Sequence, residues 1–172
     1  RVVRVGVLAR VGKGVLMPAY ARRARALAAA HDVILVNYPI TPLESDALVR
    51  AARALTVPVV AAYQCDLELP GSAWSRAVQF AVEAAGRRLL DEAARVLVLS
   101  MDYARTSRLL QPHLAKCVVH APPVLLHPAD AQEVARFRAR HAPGADVVIG
   151  VAARIAAEKG IVLHAEHRSA DP

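Results

Sequence analysis

The stretch from Asp32 to Tyr38, "DVILVNY", runs directly into "PITPLE" at residues 39–44. An almost unbroken apolar run of this length reads as a strand, and as one buried on both faces. Thr41, Pro42 and Glu44 then read as a helix start. They supply a capping hydroxyl, a proline in the first turn, and a carboxylate that can reach back to complete a capping box. The helical pattern lasts to about Leu55, and "VPVVAAYQ" at 57–64 follows as the next strand, with Pro58 tolerated only near its beginning. Strand, helix and strand in this order form one parallel βαβ unit with a right-handed crossover.

The same alternation extends in both directions. Upstream, "RVVRVGVLA" (1–9) reads as a strand and "PAYARRARALAAA" (18–30) as a helix. Downstream come a loop "CDLELPGS" (65–72), a long helix from about Ser75 to Ala93, and a strand "ARVLVLS" (94–100). Ser100 reads as the cap of a helix through "MDYARTSRLL", and "KCVVHA" (116–121) is a strand stopped by Pro122 and Pro123. A helix opens at Asp130 and Glu133 and runs to about His141, and "DVVIGVA" (146–152) is the last strand pattern. The expected class is α/β: a Rossmann-like parallel sheet with helices on both faces. "HAPGAD" (141–146) has a linker's proline and glycine, so two domains are expected, 1–143 and 144–172. The end, 162–172, loses helical periodicity and reads as unstructured.

Composition narrows the function classes. At 55% hydrophobic and 22% charged residues, the 172-residue chain is of globular and not disordered type. Aromatic residues are only 4%, so the core has to be built from Ala, Val and Leu. The formal net charge of +7 admits nucleic acid, an anionic membrane or phosphorylated substrates. Arginines are nonetheless spread along the chain, and no stacking aromatics or recognition-helix motif supports a nucleic-acid partner. Two cysteines without CxxC spacing imply no disulfide framework and a reducing, cytoplasmic setting. No secretory leader and no membrane-spanning run is visible. The chain opens on Arg1 inside a strand-like pattern, which reads as a missing beginning.

In open parallel sheets, ligands collect beyond the carboxyl ends of the strands. The residues at those ends are Asn37 and Tyr38, Gln64 to Asp66, Ser100, His120 and Arg154. Asp66 can accept from sugar hydroxyls, and Gln64 can donate and accept. Cys65 lacks an evident basic partner and reads as a buried thiol. In "ARIAAEKG" (153–160), Arg154 and Lys159 form a pair of cations suited to a diphosphate. The loop "RVGKGVLMP" (10–18) lacks the GxxxxGK[ST] pattern. With "ARRAR" (21–25) behind it, the segment 10–25 fits either a peripheral membrane contact or a surface loop and a helix with a basic outer face. The histidines have no metal-ligand spacing, so no metal is expected, and no catalytic residue is assigned.

Taken in order, "VLARVGKGVLMPAYARRA", "HDVILVNYPITPLESDAL", "PVVAAYQCDLELPG", "DYARTSRLL" and "VIGVAARIAAEKG" resemble the family 4 retaining glycosyltransferases over residues 1–160. That family has the GT-B fold of two Rossmann-like domains. The resemblance implies transfer of a sugar from a nucleotide-diphosphate donor, without metal or other cofactor. It implies that Arg154 and Lys159 hold the donor diphosphate, with Asn37, Gln64, Asp66 and Ser100 near the donor sugar or acceptor. Gln64 stands where the family often has histidine, and Ala153 where it usually has glycine. The implied partners are a nucleotide sugar and a carbohydrate or lipid-linked acceptor, at the cytoplasm or the inner face of its membrane. The family's Gly-rich loop and paired glutamates are absent, so the chain reads as an incomplete, inactive fragment: an acceptor domain plus a stub of the donor domain. The alternatives are a stand-alone α/β binding module and a sugar-nucleotide epimerase-like protein.

Overall fold

A computed structural model describes residues 2–11, 14–69, 71–122, 128–150 and 152. It divides into two compact units, Arg1–Pro123 and Val124–Pro172.

In the first unit, β1 (Ala9–Val11) pairs antiparallel with β2 (Gly14–Leu16), and helix α1 (Tyr20–Ala28) follows. A four-stranded parallel sheet then forms in the order β3 (Ile34–Tyr38), β4 (Val59–Tyr63), β5 (Ala93–Val98), β6 (Cys117–Val119). The crossovers are α2 (Pro42–Leu55), α3 (Ala73–Glu92), and α4 (Met101–Thr106) with a 3-10 turn over Gln111–Lys116. The α/β class and the parallel sheet flanked by helices are as the alternation requires.

Side-chain alternation sets the core. Val36, Tyr38, Val59, Ala61, Tyr63, Val96 and Val98 point to one face and are buried with Leu89 and Leu90 of α3. The opposite face is less covered: Leu35, expected to be buried, is 61% exposed. α1 packs on α2, and α2 on α3. The second contact is close because its residues are small: buried Ser45 donates from Oγ to the Ala85 carbonyl at 3.2 Å. Its rim carries ion pairs from Arg88 to Asp46 at 2.9 Å and from Arg53 to Glu92. Lys116 Nζ donates to the carbonyls of Leu90 and Asp91 at 3.1 and 2.6 Å, satisfying acceptors at the end of α3 that have no intrahelical partner.

The caps differ in detail from expectation. Ser72 and Ser100 accept from the backbone N–H three residues on, as N-caps do. Thr41 makes no such bond; its hydroxyl donates to Glu44 at 2.8 Å, so the capping box is replaced by a side-chain pair.

Two expected strands are corrected. Among residues 2–8 no strand forms, and Val2 and Leu8 are 83% and 71% exposed. Only Ala9–Val11 pairs, and it pairs with Gly14–Leu16 instead of entering the parallel sheet. The two-residue spacing between those short runs is that of a tight hairpin, and a local hairpin closes at little entropic cost. In the second unit, residues 146–150 and 152 carry no strand, and Val147 and Ile149 are 76% and 75% exposed. Among the described residues no neighbouring strand completes their backbone hydrogen bonds, and a strand needs one. That unit contains α5 (Ala131–His141), capped by Asp130, which accepts from the Gln132 N–H at 2.8 Å.

Gly86 marks a close approach between α3 and the sheet. A Cβ there would lie 2.7 Å from Tyr38 Cε2 and 2.8 Å from its hydroxyl. Gly86→Ala is expected to lower stability by about 1–3 kcal/mol, as overpacking does, despite the helix preference for alanine. Urea denaturation measures it, and an unchanged or raised midpoint contradicts this packing.

Candidate functional site

β3 and β4 are in register such that both end on tyrosine, Tyr38 beside Tyr63. Their rings stack with centroids 4.8 Å apart, and Tyr103 of α4 lies 6.5 Å beyond Tyr63. The chain leaving β4 turns so that Asp66 meets this group. Its Oδ1 accepts from Tyr63 at 2.6 Å and from Ser107 at 2.8 Å, and its Oδ2 accepts from Tyr103 at 2.8 Å. The Asp66 N–H donates back to the Tyr103 oxygen at 2.6 Å. Three hydroxyl donors use most of what a carboxylate can accept in one place. Asp66 therefore fastens the loop and is not free to hold a ligand by itself.

The tyrosine hydroxyls keep their protons well into alkaline pH. Burial raises Tyr63, helped by its bond to Asp66. Burial also pushes Tyr103 up to about 12. Tyr38 is pushed up to about 12, first by burial and then by the charges of Glu83 and Asp66. All three are donors at neutral pH. Tyr63 and Tyr103 have partners, whereas the buried Tyr38 hydroxyl has none among the described residues.

Beside this cluster is a cavity of about 320 Å³, at the lower end of small-ligand sites (roughly 300–1,000 Å³). Tyr38 and Asp66 line it, with Glu68, Gln79, Glu83 and Arg108. Gln79 links two walls: Oε1 accepts from the Leu69 N–H at 3.2 Å, and Nε2 donates to Glu83 at 2.9 Å. Gln79, Glu83 and Gly86 recur at helical spacing on one face of α3. The unpartnered hydroxyl at Gly86 is therefore next in line after two lining side chains.

The sequence-expected site residues have different surroundings. Asp66 belongs to the cluster. Ser100 is spent on capping α4, where Oγ accepts from the Tyr103 N–H at 3.2 Å. Asn37 and Gln64 alternate with Tyr38 and Tyr63, so they are directed to the other side; both are exposed. Cys65, expected to be buried, is exposed, because it sits where the chain has left the sheet. Arg154 and Lys159 lie outside the described residues. The site also takes in Tyr63, Tyr103, Ser107, Glu68, Gln79, Glu83 and Arg108, which no sequence pattern marks as functional. Among the described residues no group of three or more His, Cys, Asp or Glu is placed to hold a metal ion, and no helix is long and apolar enough to cross a membrane.

A model of the glycosyl transferase 4-like domain matches residues 1–123, ending where the first compact unit ends. No curated protein and no solved structure gives a match.

The raised tyrosines give a pH signature. Tyr38 and Tyr103 titrate near 10.0 when unfolded and at about 12 when folded. Their contribution is fully present below the unfolded value and is lost as pH rises through the folded one. Urea midpoints are expected to fall between these values, and less steeply in Tyr38→Phe. Equal slopes in the variant and parent contradict a raised Tyr38.

Proposed function

This chain belongs to the glycosyl transferase 4-like domain family, and from that premise we propose that it serves transfer of a sugar from a nucleotide-diphosphate donor to an acceptor, with retained anomeric configuration. Residues 1–123 supply the acceptor side. The observation that carries this reading is the cavity at the carboxyl ends of β3 and β4. There a carboxamide, carboxylates and a guanidinium converge on a volume fit for one small polar ligand. Such mixed donors and acceptors suit hydroxyl groups.

Arg154 and Lys159 hold the donor diphosphate in this reading, which rests on the likeness of "ARIAAEKG" to the family's signature. Their chemistry fits. A hexosyl transfer of this type depends on stabilising the negative charge that builds on the departing phosphate, and fixed cations supply that stabilisation. Asn37 and Gln64, both exposed, are the side chains of the first unit left available to the donor sugar. Calorimetric titration of the chain with UDP, GDP and ADP tests the clamp. At least one is expected to bind, and Arg154→Ala or Lys159→Ala to weaken it by roughly tenfold or more, the loss of a charge-assisted contact. Unchanged affinity in both variants removes these residues from the donor site.

A peripheral membrane contact through residues 10–25 is favoured by a separate observation. A groove of about 410 Å³ between α1 and α2 is floored by Ala21, Ala47 and Ala51 and rimmed by Arg22, Arg25 and Arg50. None of these arginines has an ion-pair partner among the described residues. Basic side chains near an anionic surface contribute about 1 kcal/mol each. Cosedimentation is expected with phosphatidylglycerol vesicles and not with phosphatidylcholine vesicles. It is expected to fall with salt and in Arg22→Gln/Arg25→Gln. Binding indifferent to lipid charge argues against this contact.

A further inference from the structure

We propose that the groove between α1 and α2 is a discrete site for one phosphomonoester group, a dianion with three free oxygens, and not only a patch of diffuse positive charge. This rests on the reading of the groove as an anion-facing surface and goes beyond it by naming the ligand. Helical spacing builds the site. Arg22 and Arg25 are three residues apart on α1, and Ala47, Arg50 and Ala51 recur at three and four residues on α2. The two helices pack on each other, so one turn of each faces the other. Ala47 and Ala51 are buried, and their small side chains leave about 410 Å³ open. The groove shares no lining residue with the cavity at the strand ends.

The charges of α2 divide by side. Asp46 pairs with Arg88 and Arg53 with Glu92, both across to α3. Glu44, one turn before Ala47, accepts from Thr41 and does not line the groove. On the other wall, α1 has the sequence YARRARALA, without an acidic residue. Three guanidinium groups thus share one groove in which, among the described residues, no carboxylate takes part. Like charges three residues apart on a helix repel each other, and a bound anion replaces that repulsion with attraction.

Oxygen count selects the ligand. A guanidinium presents a planar fork that grips two phosphate or carboxylate oxygens. A carboxylate or a phosphodiester offers only two free oxygens and one charge to three such forks. A phosphomonoester offers three oxygens and about two charges at neutral pH. Diester headgroups of ordinary anionic lipids answer only to the general field, which salt screens.

The test is calorimetric titration of the full chain with sn-glycerol 3-phosphate and with glycerophosphoglycerol, the soluble headgroups of phosphatidic acid and phosphatidylglycerol. The monoester is expected to bind at one site per chain and at least about tenfold more tightly than the diester. Arg50→Gln and Arg22→Gln/Arg25→Gln are each expected to weaken it by about tenfold or more. Neither breaks an ion pair among the described residues, so both are expected to keep the parent's urea midpoint. Ala21→Glu, which adds a carboxylate and removes no arginine, is expected to abolish binding, and Arg154→Ala/Lys159→Ala to leave it unchanged. Equal affinity for the two esters, or monoester binding that survives the groove variants, overturns the site. Vesicles of equal surface charge distinguish the source of the phosphate. Stronger cosedimentation with phosphatidic acid than with phosphatidylglycerol, lost in Arg50→Gln, supports a lipid headgroup. Binding of the free monoester without that preference supports a soluble phosphate ester. If phosphatidylglycerol vesicles carry the chain down but the monoester does not bind, this inference fails and the membrane contact stands. If the monoester binds and no anionic vesicle does, the membrane contact fails alone.

Discussion

The Asp66 carboxylate ties three pieces of chain to one point: the end of β4 through Tyr63, the first turns of α4 through Tyr103, and the turn that follows α4 through Ser107. Each bond joins an anion to a neutral hydroxyl, the stronger kind of hydrogen bond, and the backbone N–H of Asp66 returns a fourth to Tyr103. The loop after β4 is thereby held against α4. This loop carries Glu68, and the turn after α4 carries Arg108. The cavity's walls come from these two segments and from α3, so its shape depends on that one carboxylate.

Tyr38 occupies the opposite position in this arrangement. Its ring is fully used, stacked on Tyr63 and packed on Gly86, while its hydroxyl is left without a partner. A glycine at residue 86 gives up helix stability of about 1 kcal/mol relative to alanine. The close approach of ring and helix it permits sets the hydroxyl in line with Gln79 and Glu83.

The sheet separates two chemistries by simple alternation. Tyr38 and Tyr63 project into the side packed by α3, and Asn37 and Gln64 project away from it. Adjacent residues at the same strand ends thus serve different surroundings: one pair is buried, with Tyr38 lining the cavity, and the other stays exposed.

Much of the fold was legible in the residues because its elements are local. Pro42 and Glu44 opened a helix, Ser100 capped another, and apolar runs at 34–38, 59–63 and 93–98 became strands of one parallel sheet. The errors came where a strand depends on a partner. Residues 2–8 and 146–150 have strand-like sequences, but a run of hydrogen bonds to a neighbour decides whether an apolar segment is a strand; among the described residues the first segment makes the bond from the Leu8 N–H to the Leu16 carbonyl but no ladder, and the second pairs with no strand. The site was less legible. Asp66 could be picked out from its place after a strand, but its role could not, since Tyr103 and Ser107 lie 37 and 41 residues away in sequence. Composition, periodicity and capping residues determined on their own that this is an α/β chain with ligand chemistry at its strand ends. Only the tertiary structure decided that Asp66 is an anchor and that the buried Tyr38 hydroxyl has no partner among the described residues, because hydrogen-bond satisfaction is set by which distant groups the packed helices bring within 3 Å.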